Sequence, residues 1–165
     1  MSQGQRQRVA VARAIVSKPD VIVLDEPTSS IDVSLQSQVL NLLVGLQKTQ
    51  GYTYILITHD PNVARYMADY IAVMYLGKVA EYGPAESVLR NPRHPYTQAL
   101  LASAPNVNQL TLPKPLSGEP PSMVSLPEGC RFAQRCPFVM DRCKEAQPPF
   151  FHKEDSAVAC YLYDL

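Results

Sequence analysis

The feature that most constrains the fold of this chain is a short apolar run that ends in two adjacent carboxylates. Residues 21–24 (VIVL) are followed at once by Asp25, Glu26 and Pro27. Such a run predicts a buried parallel strand, and α/β sheets place their chemistry at the carboxyl ends of these strands. One acid there can hold a magnesium ion, while its neighbour orients or deprotonates an attacking water. The simpler interpretation is a strand end with two solvated acids.

Hydrophobic spacing and capping residues predict regular elements on both sides of this strand. Asp32 is a good N-cap and Gly51 a good C-cap for the helix between them, and Asp60-Pro61 is a strong helix start. Residues 52–58 alternate β-branched and aromatic side chains, which is typical of a strand, and they place His59 at its tip. The remaining expected elements are a helix over 3–17 and a short helix from Pro61 to about 68.

The second half of the chain is rich in proline, which excludes long regular elements there. Eleven of the fifteen prolines lie from Pro92 onward, and six fall within residues 105–128, which we interpret as an extended linker. We expect a hairpin over 70–82, short helices over 84–90 and 95–103, and a small lobe from Gly129 to the end.

The charge balance excludes several classes of partner. Fifteen basic and fifteen acidic residues give a formal net charge of zero, so neither a nucleic-acid footprint nor a polybasic membrane anchor is indicated. The apolar runs are too short to span a membrane, and the first residues lack the apolar stretch of a signal peptide. We expect a soluble, intracellular chain that reaches a membrane through a partner.

Four short segments, taken in order, match one family. They are the Ser2-Gln3-Gly4-Gln5 loop before a helix, residues 21–27 with their two acids, Ser30-Ile31-Asp32, and Thr58-His59-Asp60. Together they resemble the signature loop, Walker B strand, D-loop and switch histidine of ATP-binding-cassette (ABC) ATPases. The resemblance implies an α/β fold, namely the C-terminal part of a P-loop (RecA-like) core, with ATP and Mg²⁺ as ligands. Met1 and Gln3 depart from the family's L-S-G-G-Q loop.

The same resemblance implies a role for each matched residue. Asp25 would bind Mg²⁺, Glu26 would position or activate the attacking water, and His59 would contact the γ-phosphate. A helix start presents free backbone amides to an anion. The residues implied to contact nucleotide held by the opposite subunit are Ser2, Gly4, Gln5 and Asp32.

Later segments narrow the resemblance to the ATPases of oligopeptide and dipeptide importers. Residues 83–86 (GPAE), 91–97 (NPRHPYT) and 129–137 (GCRFAQRCP) are similar to the C-terminal extension of that branch. The predicted division is then a partial nucleotide-binding domain over 1–83 and the extension over 84–165. His94 has no catalytic partner nearby in the sequence, and we interpret it as part of a helix start with packing aromatics.

This branch also implies partners and a location. They are a second ABC ATPase subunit, identical or different, two integral membrane permease subunits and, indirectly, a peptide-binding protein. The ATPase would lie peripherally at the cytoplasmic face of the inner membrane. No nucleic acid is expected as a partner.

The only cysteines of the chain cluster in its last part, at Cys130, Cys136, Cys143 and Cys160. Structural zinc usually needs a tight C-x-x-C pair, which is absent, and disulfides do not suit a cytosolic chain. A four-thiolate iron–sulfur cluster tolerates wider spacing, and members of the resembled branch carry a [4Fe-4S] cluster on such cysteines. We favour that cluster, with free thiols and zinc as the alternatives.

One motif of the resembled family does not occur in the 165 residues: the phosphate loop G-x-x-x-x-G-K-[ST]. The sequence is therefore expected to be a fragment that neither binds ATP tightly nor hydrolyses it alone. In the resembled fold we expect the phosphate-loop strand to lie between the strands carrying Asp25 and His59, so that its absence exposes apolar strand edges. Two other functions stay open: a non-catalytic fragment that complements a partner in trans, and a metal-binding or redox module.

Overall fold

The structure is a computed structural model that describes residues 3–29, 31–104, 121 and 124–164, with the side chains of residues 3 and 4 left aside. The chain divides into two compact units, Met1–Met67 and Ala68–Leu165. The boundary between Met67 and Ala68 separates two parts of the chain whose residues mostly contact residues of their own part. The division into regions 1–83 and 84–165 stays a prediction, and most of the expected linker at 105–128 lies outside the described residues.

Helices and strands alternate in the first unit. Its elements are α1 (Gln3–Ile15), β1 (Val21–Asp25), α2 (Val33–Gln50), β2 (Thr53–Ile57) and α3 (Pro61–Met67). The Asp32 carboxylate accepts a hydrogen bond from the Leu35 amide, and Gly51 ends α2 with a left-handed φ of 74°. Both predicted caps are confirmed, because each satisfies backbone groups that a helix end leaves unpaired.

The two strands of this unit are direct neighbours in a parallel sheet. The register runs from Val21 opposite Thr53 to Asp25 opposite Ile57. The expectation that a phosphate-loop strand separates them is therefore wrong. The physical reason is that α2 is a crossover long enough to return the chain beside β1, where the backbone groups of the two strands satisfy each other.

One face of this sheet forms the core of the unit. Ile22 and Leu24 of β1 pack against Val39 and Leu43 of α2, and all four are buried. Because successive strand residues point to opposite faces, the other face carries apolar side chains that are about half exposed. They are Val21 (49%), Val23 (60%), Ile55 (53%) and Ile57 (50%).

The second unit is built around an antiparallel sheet of four strands in the order β3-β4-β6-β5. Its elements are β3 (Tyr70–Tyr75), β4 (Lys78–Pro84), α4 (Ala85–Arg90), α5 (Pro95–Ser103), α6 (Arg142–Glu145), β5 (Phe151–Lys153) and β6 (Ser156–Val158), with single 3₁₀ turns at Ala133–Arg135 and Tyr161–Tyr163. The hairpin and both short helices agree with the sequence-based prediction. The strands β5 and β6 were not predicted, because three residues are too few to show a periodic pattern.

None of the helices in the described part of the chain combines the length and the apolar character that crossing a membrane requires.

Candidate functional site

The two predicted catalytic positions lie at the carboxyl ends of β1 and β2. Asp25 ends β1, and Glu26 follows it with a φ of 46°, a left-handed conformation that is uncommon for a residue other than glycine. The Glu26 amide donates a hydrogen bond of 2.9 Å to the carbonyl of Ile57, the last residue of β2. This bond continues the pairing of the two strands by one step and fixes the backbone from which the Glu26 side chain projects.

The Glu26 carboxylate and the His59 imidazole form a direct pair. Oε1 of Glu26 lies 2.7 Å from Nδ1 of His59, and the two side chains are 35% and 80% exposed. The hydrogen bond from Glu26, and then its negative charge, raise the pKa of His59 above its ordinary value. The structure thus brings together the two residues that the sequence assigns to catalysis.

Asp25 stands beside this pair with its side chain exposed to solvent. Among the described residues no hydrogen bond or ion pair engages its carboxylate. Mg²⁺ in nucleotide sites is usually held by one or two carboxylates, with waters and phosphates as the other ligands. A solvent-facing, unengaged carboxylate suits that donor set, so Asp25 fits the predicted magnesium ligand.

The loop after Glu26 is attached to the first helix. Pro27 and Thr28 are buried, and the Gln7 side chain on α1 donates a hydrogen bond to the Pro27 carbonyl. The Ser29 hydroxyl donates a bond of 3.0 Å to the Glu26 carbonyl, which closes the turn. No local pattern indicates this contact of Gln7, since only the fold brings it against a loop 20 residues away.

The residues of the predicted signature loop lie where α1 begins. Gly4 and Gln5 belong to the first turn of α1, and Ser2 lies outside the described residues. The carboxylate of Asp32 caps α2 at 2.9 Å from the Leu35 amide. The contacts of these four residues with nucleotide stay predictions.

In the second unit, all four cysteines line one cavity. Cys130, Cys136, Cys143 and Cys160 share its wall with apolar residues such as Phe132 and Met140. All four thiols are free. Burial raises the pKa of Cys130 and Cys136, and it raises the pKa of Cys160 to about 11, so these thiols stay protonated unless a cation stabilises the thiolate.

Close backbone contacts bring the cysteines to this cavity. The Cys130 amide donates a hydrogen bond of 2.7 Å to the Cys143 carbonyl. A Cβ on Gly129 would lie within 2.5 Å of the Lys144 carbonyl carbon, so only glycine permits this approach. Cys136 ends the 3₁₀ turn at Ala133–Arg135, and Cys160 precedes the turn at Tyr161–Tyr163.

The four thiols of this cavity are the candidate ligands for the zinc ion or the iron–sulfur cluster considered from the sequence. Within the described ranges no three His, Cys, Asp or Glu side chains converge closely enough to hold a single metal ion. A structural zinc needs four ligands around one point, and these side chains do not provide it. A cluster binds each thiolate on a different iron, so its ligands stand farther apart. The placement of side chains in the described part of the chain therefore does not support the predicted [4Fe-4S] cluster, which stays a proposal.

His94 belongs to the same cavity wall. It is 3% exposed, and its Nδ1 accepts a hydrogen bond of 3.0 Å from the Tyr96 amide at the start of α5. Burial lowers the pKa of His94 to about 4. The carboxylate of Glu81, itself 0% exposed, accepts hydrogen bonds from the amides of Arg93 (2.8 Å) and His94 (2.9 Å). The predicted helix start is confirmed, whereas Glu81 was not anticipated.

Comparisons with known proteins agree with the predicted family. Residues 80–143 match the family described as oligopeptide/dipeptide transporter, C-terminal region, and residues 1–29 match the family described as ABC transporter. The chain is 47% identical to the di/tripeptide transport ATP-binding protein DppF of Pseudomonas aeruginosa, over 97% of this chain and 50% of that protein. It is 44% identical to the dipeptide transport ATP-binding protein DppF of Escherichia coli K12, over 99% of this chain and 49% of that protein.

A solved structure supports the fold. An inward-facing ABC transporter described as of metal-chelate type matches with 34% identity and a TM-score of 0.54, covering 61% of this chain and 38% of that chain. The expected α/β fold of the ABC ATPase core is confirmed. The chain spans about half the length of the curated relatives it matches.

Proposed function

We propose that this chain, which belongs to the oligopeptide/dipeptide family of ABC transporter ATP-binding proteins, carries part of the ATP-hydrolysing site of a peptide importer. The observation that carries the proposal is the 2.7 Å contact between Glu26 Oε1 and His59 Nδ1, beside the exposed carboxylate of Asp25. An acid and a cation ligand at adjacent strand ends, with a histidine beside the acid, are suited to positioning water and binding the cation in phosphoryl transfer to water.

Each of the three residues has a distinct task in the proposed reaction. Glu26 accepts a proton from the attacking water through its carboxylate, and the hydrogen bond from His59 fixes the direction of that carboxylate. His59 presents its second ring nitrogen to solvent, where a phosphate oxygen can accept its N–H. Asp25 would hold Mg²⁺ through a carboxylate oxygen. When bound, ATP supplies the phosphorus that water attacks, and the ion neutralises charge on the phosphates.

The proposed site needs a further segment. The 165 residues contain no phosphate loop, so the amides and the lysine that cradle the phosphates must come from elsewhere. Ser2, Gly4, Gln5 and Asp32 are proposed to contact nucleotide bound to a second subunit. We therefore expect no ATP hydrolysis by the purified chain, and turnover that disappears in Glu26→Gln would contradict this.

The proposed cargo, partners and location of this chain are inferred from its relatives. Those named above are dipeptide and di/tripeptide transport ATP-binding proteins, so we propose di- or oligopeptides as the cargo. The proposed partners are a second ABC ATPase subunit, two membrane permeases and, through them, a peptide-binding protein. The proposed location is the cytoplasmic face of the membrane.

A chimera tests the proposed activity. In the chimera, the 165 residues replace the half of P. aeruginosa DppF that they match. DppF supplies the other half. We expect ATP hydrolysis that Glu26→Gln lowers about 10²- to 10⁴-fold, because it removes the general base. The matched control is Glu86→Gln, an exposed acid that pairs with Arg90 on α4, and this variant should keep full turnover. A chimera that binds ATP but is insensitive to Glu26→Gln would contradict the assignment.

A mixing experiment addresses the proposed action in trans. The free chain is added to the separately produced other half of P. aeruginosa DppF, the half that the chain does not match. If the chain complements a partner, ATPase activity rises only on mixing and depends on Glu26. If activity stays at background over all ratios, this second function is excluded.

A second proposal concerns the cavity of the second unit. We propose that Cys130, Cys136, Cys143 and Cys160 bind a [4Fe-4S] cluster, an inference supported by four free thiols lining one apolar cavity. The cluster would cross-link a lobe that is poor in regular structure. Anaerobic incubation with ferrous iron and sulfide should give the visible absorption of a cluster, and Cys130→Ser should abolish it.

The control for this test is Met140→Leu. Met140 lines the same cavity but carries no thiolate, and the exchange conserves volume, so the variant should keep the cluster. Stoichiometric zinc in the purified chain, or absence of any bound metal after reconstitution, would instead favour one of the two alternatives.

A further inference from the structure

Gln7 lies on the face of α1 that is turned towards the core of the first unit. Val11 and Ile15 follow it at intervals of four residues, and both pack against the buried cluster formed by β1 and α2. Residues four apart on a helix share one face, so the half-buried Gln7 continues this face by one turn. A half-buried amide on an otherwise apolar face needs a polar partner, and the Pro27 carbonyl is the acceptor that it meets.

The bond from Gln7 is important to the loop that follows the proposed catalytic acid. Pro27 is buried, and among the residues that the structure describes no other donor reaches its carbonyl. A polar group in a buried segment is destabilising when it has no partner. The packing of α1 on the core holds the donor in place, so this bond attaches the loop to a fixed helix.

Glu26, directly before Pro27, has a backbone conformation that its surroundings must maintain. Its φ of 46° is left-handed, which is unfavourable for a residue with a Cβ. A residue before proline otherwise prefers an extended conformation, which would turn the Glu26 side chain in another direction. The Glu26 amide donates to the Ile57 carbonyl, and the Glu26 carbonyl accepts from Ser29. The bond from Gln7 fixes the next carbonyl along the chain, that of Pro27.

We propose that Gln7 is a positioning residue for the reaction proposed above: by binding the Pro27 carbonyl, it keeps Glu26 in the left-handed conformation in which its carboxylate meets His59. The inference rests on the proposed role of Glu26 as the base. Gln7 needs no contact with nucleotide in this role, because it acts through Glu26. Loss of the bond frees the loop from α1, lets Glu26 turn towards the extended conformation and withdraws its carboxylate from Nδ1 of His59.

Two substitutions on α1 separate this role from a general effect on the helix. Gln7→Met removes the donor and keeps an unbranched side chain of similar length. The matched control is Arg8→Met, the same new side chain one residue further along. Arg8 donates a hydrogen bond of 2.7 Å to Oε1 of Gln38 on α2, so its loss loosens α1 without releasing the Pro27 carbonyl.

The first measurement uses the full chain without nucleotide and records the imidazole nitrogen chemical shifts of His59 by NMR at one pH. The Nδ1 shift reports the hydrogen bond to Glu26, and Glu26→Ala gives its value when that partner is missing. We expect Gln7→Met to move the shift more than half of the way to the Glu26→Ala value, and Arg8→Met to keep the wild-type value. An unchanged shift in Gln7→Met would overturn the proposed role.

The second measurement is ATP turnover of the chimera with P. aeruginosa DppF. We expect Gln7→Met to lower kcat about 10- to 100-fold and to keep the KM for ATP within about twofold, because a misplaced base weakens the chemical step more than binding. In a Glu26→Ala background, Gln7→Met should cause no further loss of kcat, since it acts through Glu26. A protein that had only become less stable would lose the same fraction of turnover in both backgrounds, and that result would also overturn the role.

The two measurements distinguish this inference from the proposed function. If Glu26→Ala leaves the turnover of the chimera unchanged, the proposed function fails and the role of Gln7 in the reaction falls with it. If Glu26→Ala abolishes turnover and Gln7→Met keeps full kcat, the role of Gln7 alone is overturned, and its bond only attaches the loop to α1.

Discussion

The carboxylate of Glu26 reaches Nδ1 of His59 across 33 residues of sequence, and the contact measures 2.7 Å. It exists because β1 and β2 pair in parallel, so that their carboxyl ends lie side by side. The Glu26 amide bond to Ile57 holds the two tips in register. The contact holds the carboxylate of the proposed base in one direction.

This pairing predicts the titration of His59. The hydrogen bond and the charge of Glu26 raise the pKa of His59 in the folded chain. Folding therefore favours the protonated ring. The resulting stabilisation is fully present below the unfolded pKa of about 6.5, and it is lost as pH rises through the folded pKa. NMR titration of the imidazole should give a pKa above 6.5 in the wild type and a value nearer 6.5 in Glu26→Gln. Equal pKa values in the two proteins would show that the pair does not form in solution.

The cap formed by Asp32 predicts a difference between two substitutions. Its carboxylate accepts a hydrogen bond of 2.9 Å from the Leu35 amide at the start of α2. Asp32→Ala should lower the free energy of unfolding by about 1 kcal/mol, whereas Asp32→Asn should be nearly neutral, since asparagine caps as well as aspartate. Urea denaturation of the chain measures both. If ATP turnover of the chimera falls in Asp32→Asn while stability is kept, the residue also has a role at the nucleotide.

Local signals explain why much of the first unit could be predicted. A cap such as Asp32, a left-handed stop such as Gly51 and an apolar run such as β1 each act through residues a few positions apart. The strand tips then follow from the strands, whereas the roles of Glu26 and His59 were implied by the resemblance of their motifs to those of ABC ATPases. The wrong expectation, a strand between β1 and β2, concerned the order of strands, and strand order depends on contacts that a local pattern does not contain.

Several contacts of the second unit could not be predicted from local sequence patterns. Glu81 is a charged residue in the middle of a strand, and nothing nearby in the sequence indicates that it binds the amides of Arg93 and His94. The pairing of β6 with β4 joins residues far apart in the chain. The clustering of the cysteines was visible in the sequence, but their shared cavity depends on the backbone contact between Cys130 and Cys143.

A substitution at Glu81 tests the buried hydrogen bonds that its carboxylate accepts from the amides of Arg93 and His94. Glu81→Gln keeps the shape of the side chain but replaces one acceptor oxygen by an NH₂ group, which then faces a backbone N–H. A buried donor left without an acceptor costs about 1–3 kcal/mol, and we expect that loss in the free energy of unfolding. Glu86→Gln is the control, because Glu86 is exposed on α4 and should change stability by less than about 0.5 kcal/mol. Equal effects would mean that the bonds from Arg93 and His94 contribute little.

Gly129 allows a test of the contact that places the cysteines. A Cβ at this position would meet the backbone of Cys143 and Lys144, so Gly129→Ala must push the two segments apart and break the bond between the Cys130 amide and the Cys143 carbonyl. We expect lower stability of the second unit and loss of the reconstituted cluster absorption. The matched control is Gly45→Ala, since Gly45 lies on α2 with nothing within 4 Å of the added Cβ. That change should raise helix stability by about 0.5–1 kcal/mol. Thermal unfolding measures both variants, and an unaltered Gly129→Ala protein would show that these segments are farther apart in solution than the structure places them.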